Sequence, residues 1–243
     1  MYEEMAALEG DHWWFRGRRA VVLDLIRRFA PRSGRVLDIG LGTGFNANLM
    51  VQQGYEVTGL EPSKDAIVFA SRVAPRVSVI ESMFPAPSVP PASYDIALLL
   101  DVVEHIEDDA AALRDLARIL KPGGVAFITV PAFPFLWTKH DDDAHHFRRY
   151  RKRELVNVIR AAGLKPELVS YYNFFLFPAV VMFRALKRIM RREEGSDFDA
   201  TPAALNGLLA VLFSAERHLL KLIPLPFGVS LVAVVRASRS SAR

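Results

Sequence analysis

Apolar and polar positions along the chain switch between two periods. Short runs rich in Val, Ile and Leu predict strands at Arg35–Ile39, Glu56–Leu60, Val77–Ile80, Tyr94–Leu100 and Val125–Val130. Between them, Phe45–Gln53, Lys64–Arg72 and Asp109–Leu120 carry helix-period stretches. Pro62-Ser63 opens the second of these helices. Lys121-Pro122-Gly123-Gly124 closes the third, glycine supplying the left-handed turn. Strands alternating with helices predict an α/β fold with a mostly parallel sheet covered on both faces.

After residue 150 the rhythm changes. A helix over Arg153–Ala162 ends at Gly163, and strands follow at Glu167–Tyr172 and Val229–Val235. The apolar helical sequence between those strands is too long for a plain connection. The chain of 243 residues therefore reads as one domain with additions. Residues 1–30 form an N-terminal helical cap, 31–172 a ligand-binding core, 173–227 an inserted lid and 228–237 the last strand.

The insertion is amphipathic. Met182, Phe183, Leu186, Ile189 and Met190 share one side of a helix, with Arg184, Lys187, Arg188, Arg191 and Arg192 on the other. A second stripe joins Leu205, Leu208, Leu209, Leu212, Phe213, Leu219, Leu220 and Ile223. Pro178, Pro224 and Pro226 interrupt the runs, so neither is expected to span a membrane. A lid roofing a hydrophobic acceptor is the reading adopted. Peripheral contact with an anionic membrane is the alternative. Both point to a small hydrophobic or lipid-linked acceptor.

Composition narrows the chemistry. Without cysteine, disulfides, thiolate zinc sites and cysteine nucleophiles are excluded. The net charge of +4 is too small to name a partner by itself, but Arg148, Arg149, Arg151, Lys152 and Arg153 form a basic run. We read that run as a solvated helix face. The first residues show no basic region followed by an apolar run, which predicts a cytoplasmic protein, free or at the inner face of the membrane.

The segment Val36-Leu37-Asp38-Ile39-Gly40-Leu41-Gly42-Thr43-Gly44 carries the strongest chemical signal. A strand, a tight glycine turn and a helix let backbone N–H groups approach a ligand at the strand's carboxyl end. Glu61 closes the second strand, where a carboxylate can accept both hydroxyls of a ribose. A nicotinamide dinucleotide fingerprint reads G-x-G-x-x-G, whereas this turn reads G-x-G-x-G. Asp38, two residues ahead, suits a cationic ligand part better than a pyrophosphate.

Arg35–Leu49 resembles motif I of the class I S-adenosylmethionine-dependent methyltransferases. Ser93-Tyr94-Asp95-Ile96-Ala97, Asp101-Val102-Val103-Glu104-His105-Ile106 and Leu120-Lys121-Pro122-Gly123-Gly124 resemble the same superfamily's later motifs. The Asp-x-x-Glu-His segment is nearest to ubiquinone-biosynthesis O-methyltransferases. His12-Trp13-Trp14-Phe15 and His146-Phe147-Arg148-Arg149-Tyr150 are similar to a bacterial subgroup associated with cell-envelope glycan and lipid pathways. The resemblance implies a Rossmann-like doubly wound sheet of seven strands with an antiparallel last strand.

It further implies S-adenosyl-L-methionine as cofactor and S-adenosyl-L-homocysteine as product. Gly40, Gly42 and Gly44 would cradle the methionyl part, with Asp38 beside them. Arg19 would bind its carboxylate and Glu61 the ribose. Ser82 and Met83 would meet the adenine, and Leu100 and Asp101 the methionine chain. Leu41 departs from the small or cysteine residue common at its position. Glu61 stands where Asp is frequent.

A hydroxyl acceptor needs a base, and histidine is the natural choice at neutral pH. His146 and His140 follow the fifth strand and are the leading candidates, unless they only hold their loop together through Asp141, Asp142 or Asp143. Trp14, His145, Arg148, Arg149 and Tyr150 are candidate acceptor contacts, although the arginines could instead pair with the Asp run. His105 reads as a structural group beside Glu104, and His218 as a surface or lid residue. His12 with Trp13 and Trp14 either closes over the cofactor or packs on the sheet.

No metal is assigned, because consecutive Asp residues cannot all face one ion and no tight His-x-x-x-His spacing occurs. The expected reaction is O-methylation. Transfer to nitrogen, carbon or sulfur, or a non-catalytic assembly subunit, are the alternatives. A nucleic-acid substrate is disfavoured, since Leu100-Asp101-Val102-Val103 replaces the Asn/Asp-Pro-Pro-aromatic loop of amino-targeting enzymes. Oligomeric state is not legible.

Overall fold

In the computed structural model, residues 2–189 and 202–238 are described. Seven strands form one sheet in the order β3-β2-β1-β4-β5-β7-β6. They are β1 (Arg35–Ile39), β2 (Glu56–Glu61), β3 (Ser78–Glu81), β4 (Tyr94–Leu100), β5 (Leu120–Pro131), β6 (Leu164–Tyr172) and β7 (Ser230–Ala237). The first five pair in parallel, while β7 runs antiparallel to both β5 and β6. β5 begins at Leu120, five residues before the predicted start. The Lys121–Gly124 turn continues directly into pairing with β4 and β7.

Helices cover both faces. The cap contains α1 (Tyr2–Asp11) and α2 (Trp13–Phe29), followed through the core by α3 (Phe45–Gln52), α4 (Lys64–Val73) and α5 (Asp109–Ile119). Then come α6 (Lys139–Asp143), α7 (Lys152–Ala161), α8 (Phe177–Ile189) and α9 (Ala203–Leu219). Side-chain caps explain several starts. Ser63 Oγ accepts from the Ala66 N–H at α4, and Asp108 accepts from the Ala111 N–H at α5.

Strand alternation sends Val36, Ile96, Leu98, Phe127, Val232 and Val234 to one face and Leu37, Ala97, Leu99, Ile128 and Ala233 to the other. The second face takes α5 and α7 through Leu113, Leu116, Leu155 and Ile159. The first takes α2 through Val21, Val22, Leu25 and Ile26, and the inserted α9 through Phe213. Phe213 lies over Gly17, where an added Cβ would collide with its ring. The second half of the insertion is thus part of the core rather than a detached roof.

α8 differs. Met182, Phe183 and Leu186 are exposed by half or more. Arg184 donates to the Leu136 carbonyl. The side chains of Lys187 and Arg188, and residues Met190, Arg191 and Arg192 entirely, lie outside the described residues, as does the side chain of Ile189. Among the described residues, no helix is long and apolar enough to cross a membrane.

Candidate cofactor and acceptor site

Parallel pairing of β1 with β2 and β4 sets the turn after β1 at the carboxyl edge of the sheet, where loops from three strands converge. Gly40, Gly42 and Gly44 all have positive φ, at 75°, 54° and 80°. A Cβ on Gly40 would strike Val102 at 2.8 Å, and one on Gly44 would press on Ala70 at 3.1 Å. A Cβ on Gly42 would meet nothing closer than the Gly40 carbonyl oxygen at 3.9 Å. Gly42 is therefore the glycine that turns its bare face to open space. Leu41 fits because Gly59 on β2 leaves room; a Cβ there would come within 2.6 Å of Leu41.

Glu61 fixes this turn. One carboxylate oxygen accepts from the Gly42 N–H at 2.9 Å and the other from the Ser63 N–H at 3.0 Å. Next to it, the Ser82 N–H donates to the Glu61 carbonyl, while Ser82 Oγ donates to the Met83 carbonyl. Met83 is exposed. The Glu81–Met83 stretch is thereby aligned beside the acid at the end of β2.

The turn has an excess of carboxyl groups. Asp38 is buried, and burial with the nearby Glu9 and Glu61 carboxylates pushes its pKa up to about 8, despite Arg18. Glu9 reaches over from α1 and accepts a hydrogen bond from Thr43. Burial also raises the Glu9 carboxyl, against Thr43, Arg18 and Arg19. Three acids around a glycine turn with one buried guanidinium invite a cation. S-adenosylmethionine carries both an ammonium and a sulfonium, so this chain's donor set fits it.

The arginine at this centre is Arg18. It is buried and pairs with Asp101, lying 4.7 Å from the Trp14 ring centroid. Arg19, the sequence candidate, donates to the Glu9 carbonyl at 2.8 Å and stacks over Phe45. It ties α1 down instead of facing Asp38. One helical position separates them, and the sequence offers only a weak cue, the apolar stripe of α2 that carries Arg18 inward. Asp101 has φ 59°, an uncommon backbone for a residue other than glycine, and accepts from Thr129 Oγ1 at 3.0 Å. Leu100 precedes it, half-buried.

Beyond Asp101 the loops after β4 and β5 meet. A single 3-10 turn, Val103–His105, follows β4, and the Phe147 N–H donates to the Glu104 carbonyl at 2.8 Å. This brings His105 and His146 to 4.6 Å between ring centroids, with His140 at 6.2 Å from His146. His146 Nδ1 lies 2.8 Å from Asp141 Oδ1. Asp141 is fully buried and accepts from Arg149 Nε at 2.8 Å and from its terminal nitrogen at 2.9 Å. Bonds from His146, Arg149 and Thr138 hold its carboxyl well below the usual range, overcoming burial.

The other acceptor candidates have internal partners. Arg148 pairs with Asp109 at 2.9 Å, and Tyr150 donates to the same carboxylate at 2.7 Å. Arg149 is committed to Asp141. His145 is exposed with φ 55°, and Trp14 covers Arg18. His12 caps α2 by accepting from the Trp14 N–H at 3.3 Å. Glu104 is the residue whose importance the sequence understates: it is fully buried, and neither carboxylate oxygen has a hydrogen-bond partner.

Residues 14–169 match the methyltransferase domain family. A protein of Mycolicibacterium smegmatis described as a probable S-adenosylmethionine-dependent methyltransferase is 28% identical over 162 residues. The chain belongs to the S-adenosylmethionine-dependent methyltransferase family. That match covers 66% of this chain and 62% of the relative's own length. A ubiquinone biosynthesis O-methyltransferase of Xylella fastidiosa is 31% identical over 172 residues, covering 62% of this chain and 69% of its own.

Solved structures agree on the fold. An S-adenosylmethionine-dependent methyltransferase from Mesorhizobium loti superposes with a TM-score of 0.59 at 16% identity, over 89% of this chain and 97% of its own. The [4+2]-cyclase SpnF also gives 0.59, at 19% identity, over 90% and 81%. A cyclase on the same scaffold illustrates that fold alone does not name a reaction.

Proposed function

We propose that the chain methylates an oxygen of a small hydrophobic or lipid-linked acceptor. The observation that carries this reading is the Asp141–His146 pair, which meets His105 where the loops after β4 and β5 come together. S-adenosylmethionine, when bound, supplies the activated methyl group. The chain's own residues then align the acceptor and manage its proton.

Gly42 and Asp38 receive the methionyl end, Glu61 the ribose, and Ser82 with Met83 the adenine. Asp141 holds His146 Nδ1, which leaves Nε2 directed away from that carboxylate and able to accept a hydroxyl proton. His140 is the second proton acceptor in reach. The oxygen nucleophile is favoured by this acid–imidazole pair, which a sulfur or carbon acceptor needs less. Likeness to the Xylella O-methyltransferase supports the same choice.

The exposed apolar side chains of α8 support a membrane-proximal acceptor, reached by peripheral contact rather than by a lid. The test is release of S-adenosylhomocysteine with phenolic and polyprenyl-linked hydroxyl acceptors. His146→Gln should lower turnover by about 100-fold or more with cofactor affinity unchanged. Equal turnover in the variant would overturn the base assignment, and failure of calorimetry to detect S-adenosylmethionine binding would overturn the enzyme reading itself.

A further inference from the structure

Among the described side chains, none on α1 enters either apolar cluster of the core. Polar ties hold the helix instead. Arg19 donates to the Glu9 and Gly10 carbonyls, and Asn206 donates to the Asp11 carbonyl at 2.8 Å. From the last turn of α1, Glu9 reaches the hydroxyl of Thr43 in the glycine turn, 34 positions further along the chain. Thr43 is buried, and its oxygen accepts from the Phe45 N–H at 3.4 Å, which leaves the hydroxyl proton for Glu9.

The three acids at the turn are not equivalent. Both Glu61 oxygens are taken by the Gly42 and Ser63 N–H groups. Asp38 is 3% exposed, and among the described residues no hydrogen bond reaches its carboxyl. Glu9 has one oxygen on Thr43, and the other has no hydrogen-bond partner among the described residues. After burial, Glu9 does most to push the Asp38 carboxyl up, so these two groups act on each other at the turn. Arg18 is already paired with Asp101 and offsets them only in part. Buried polar groups are nearly always paired, and two carboxyls without a counter-charge of their own are short of a cation.

We propose that Glu9 is a cofactor-binding residue, which α1 delivers to the ammonium of the methionyl end as the second carboxylate beside Asp38. The proposal rests on the cofactor and not on the choice of acceptor. An ammonium carries three donors, and charge-assisted bonds to two carboxylates satisfy more of them than Asp38 alone can. Glu9 lies outside residues 14–169, which match the family, so that likeness gives it no role. Sequence spacing did not mark it either, because it sits on a separate helix ahead of the first strand.

The same charge balance makes α1 a strap. Without the ammonium, Asp38 and Glu9 repel each other, and the helix rests on its few polar ties. With the ammonium in place, both carboxylates gain an ion pair and α1 is drawn onto the turn. A ligand without that group gains nothing from the closed helix and cannot order it.

Three nucleosides separate the parts of the cofactor. S-adenosylmethionine and S-adenosylhomocysteine share the ammonium, and the first adds the sulfonium. 5′-Methylthioadenosine has neither. Calorimetry on the full-length chain should show Glu9→Gln weakening the first two by about 10-fold or more, with methylthioadenosine unchanged. Glu9→Asp, which keeps the charge on a shorter side chain, should fall between wild type and Glu9→Gln. Glu3→Gln, exposed on the same helix, should bind as the wild type does. Hydrogen exchange over Tyr2–Asp11 should slow with the first two nucleosides and not with the third, and Glu9→Gln should lose that slowing. Its melting temperature without ligand should match the wild type, which separates lost binding from lost folding.

Equal affinities in Glu9→Gln, or a weakening that extends to methylthioadenosine, would overturn the assignment. Tighter binding of the first two nucleosides would also overturn it, since Glu9 would then be standing in for the cofactor's own carboxylate. A wild type that binds none of the three overturns the cofactor reading as well, whereas one that binds all three alike overturns the role of Glu9 alone.

Discussion

At the scale of single residues, Asp38 joins fold and function through its proton. Its carboxyl moves from an ordinary value of 3.8 up to about 8, chiefly by burial and then by Glu9. A folded-state pKa above the unfolded one means stability is fully present below pH 3.8 and is lost as pH rises toward 8. A cation at the turn reverses this by favouring the ionised form. Binding of S-adenosylmethionine near pH 7 should therefore release close to one proton. Calorimetry in buffers of differing ionisation enthalpy reads that number directly, and Asp38→Asn should reduce it to near zero while weakening affinity. Gly42→Ala gives a complementary result. Its Cβ meets open space, so the cost to folding should stay near 1 kcal/mol from positive φ, while cofactor affinity falls. The glycine triplet and Glu61 were legible in sequence because tight turns and strand-end acids leave a spacing. Arg18 against Arg19 was not, since neighbouring helical positions differ by about 100° of rotation, and only packing reveals which points inward.

Elements succeed or fail by what they bury. Phe213 on α9 has no exposed surface and contacts Gly17, Tyr172 and Trp13. Around it, the Trp13 N–H donates to Asn206 Oδ1 at 2.7 Å, Arg28 donates to the Leu220 carbonyl at 3.1 Å, and Lys221 pairs with Asp24 at 2.9 Å. The cap and α9 are thus one packed pair, and Phe213→Ala should cost about 3–5 kcal/mol in urea unfolding. A loss under 1 kcal/mol would show α9 to be dispensable. The loop with α6 has an electrostatic counterpart in Asp141. Its carboxyl is depressed, so its contribution is present above the unfolded value of 3.8 and lost as pH falls below that. Asp141→Ala leaves Arg149 buried without its partner and should destabilise by about 3–5 kcal/mol at pH 7. The seven-stranded sheet and its antiparallel β7 followed from period and resemblance. The role of α9 did not, because a helix-period apolar stripe is the same whether it roofs a pocket or fills a core. Gly17 opposite Phe213 decides it, and that pairing spans nearly the whole chain.

Across the whole molecule, apolar surface remains after the core is complete. On α8, Met182 and Leu186 are 70% and 52% exposed; on α9, Leu208 and Val211 are 64% and 67% exposed. Leu222 and Ile223 extend the second group past the helix end. Two helices with uncovered apolar sides fit a surface that rests in the headgroup region of a bilayer, and among the described residues neither is long and apolar enough to span one. A lid would use the same side chains against the acceptor, so the two readings need different measurements. In the membrane reading, the chain should co-sediment with vesicles containing phosphatidylglycerol and bind less to neutral ones. Replacing Met182, Leu186, Leu208 and Val211 together with Ser should abolish co-sedimentation without lowering the melting temperature. Turnover on a water-soluble acceptor should then be unchanged, while turnover on a vesicle-embedded one falls. In the lid reading, the same variant raises KM for the soluble acceptor, and vesicles take up neither protein. The deciding quantity is therefore the ratio of embedded to soluble turnover, which the substitution lowers only if the surface docks on a membrane.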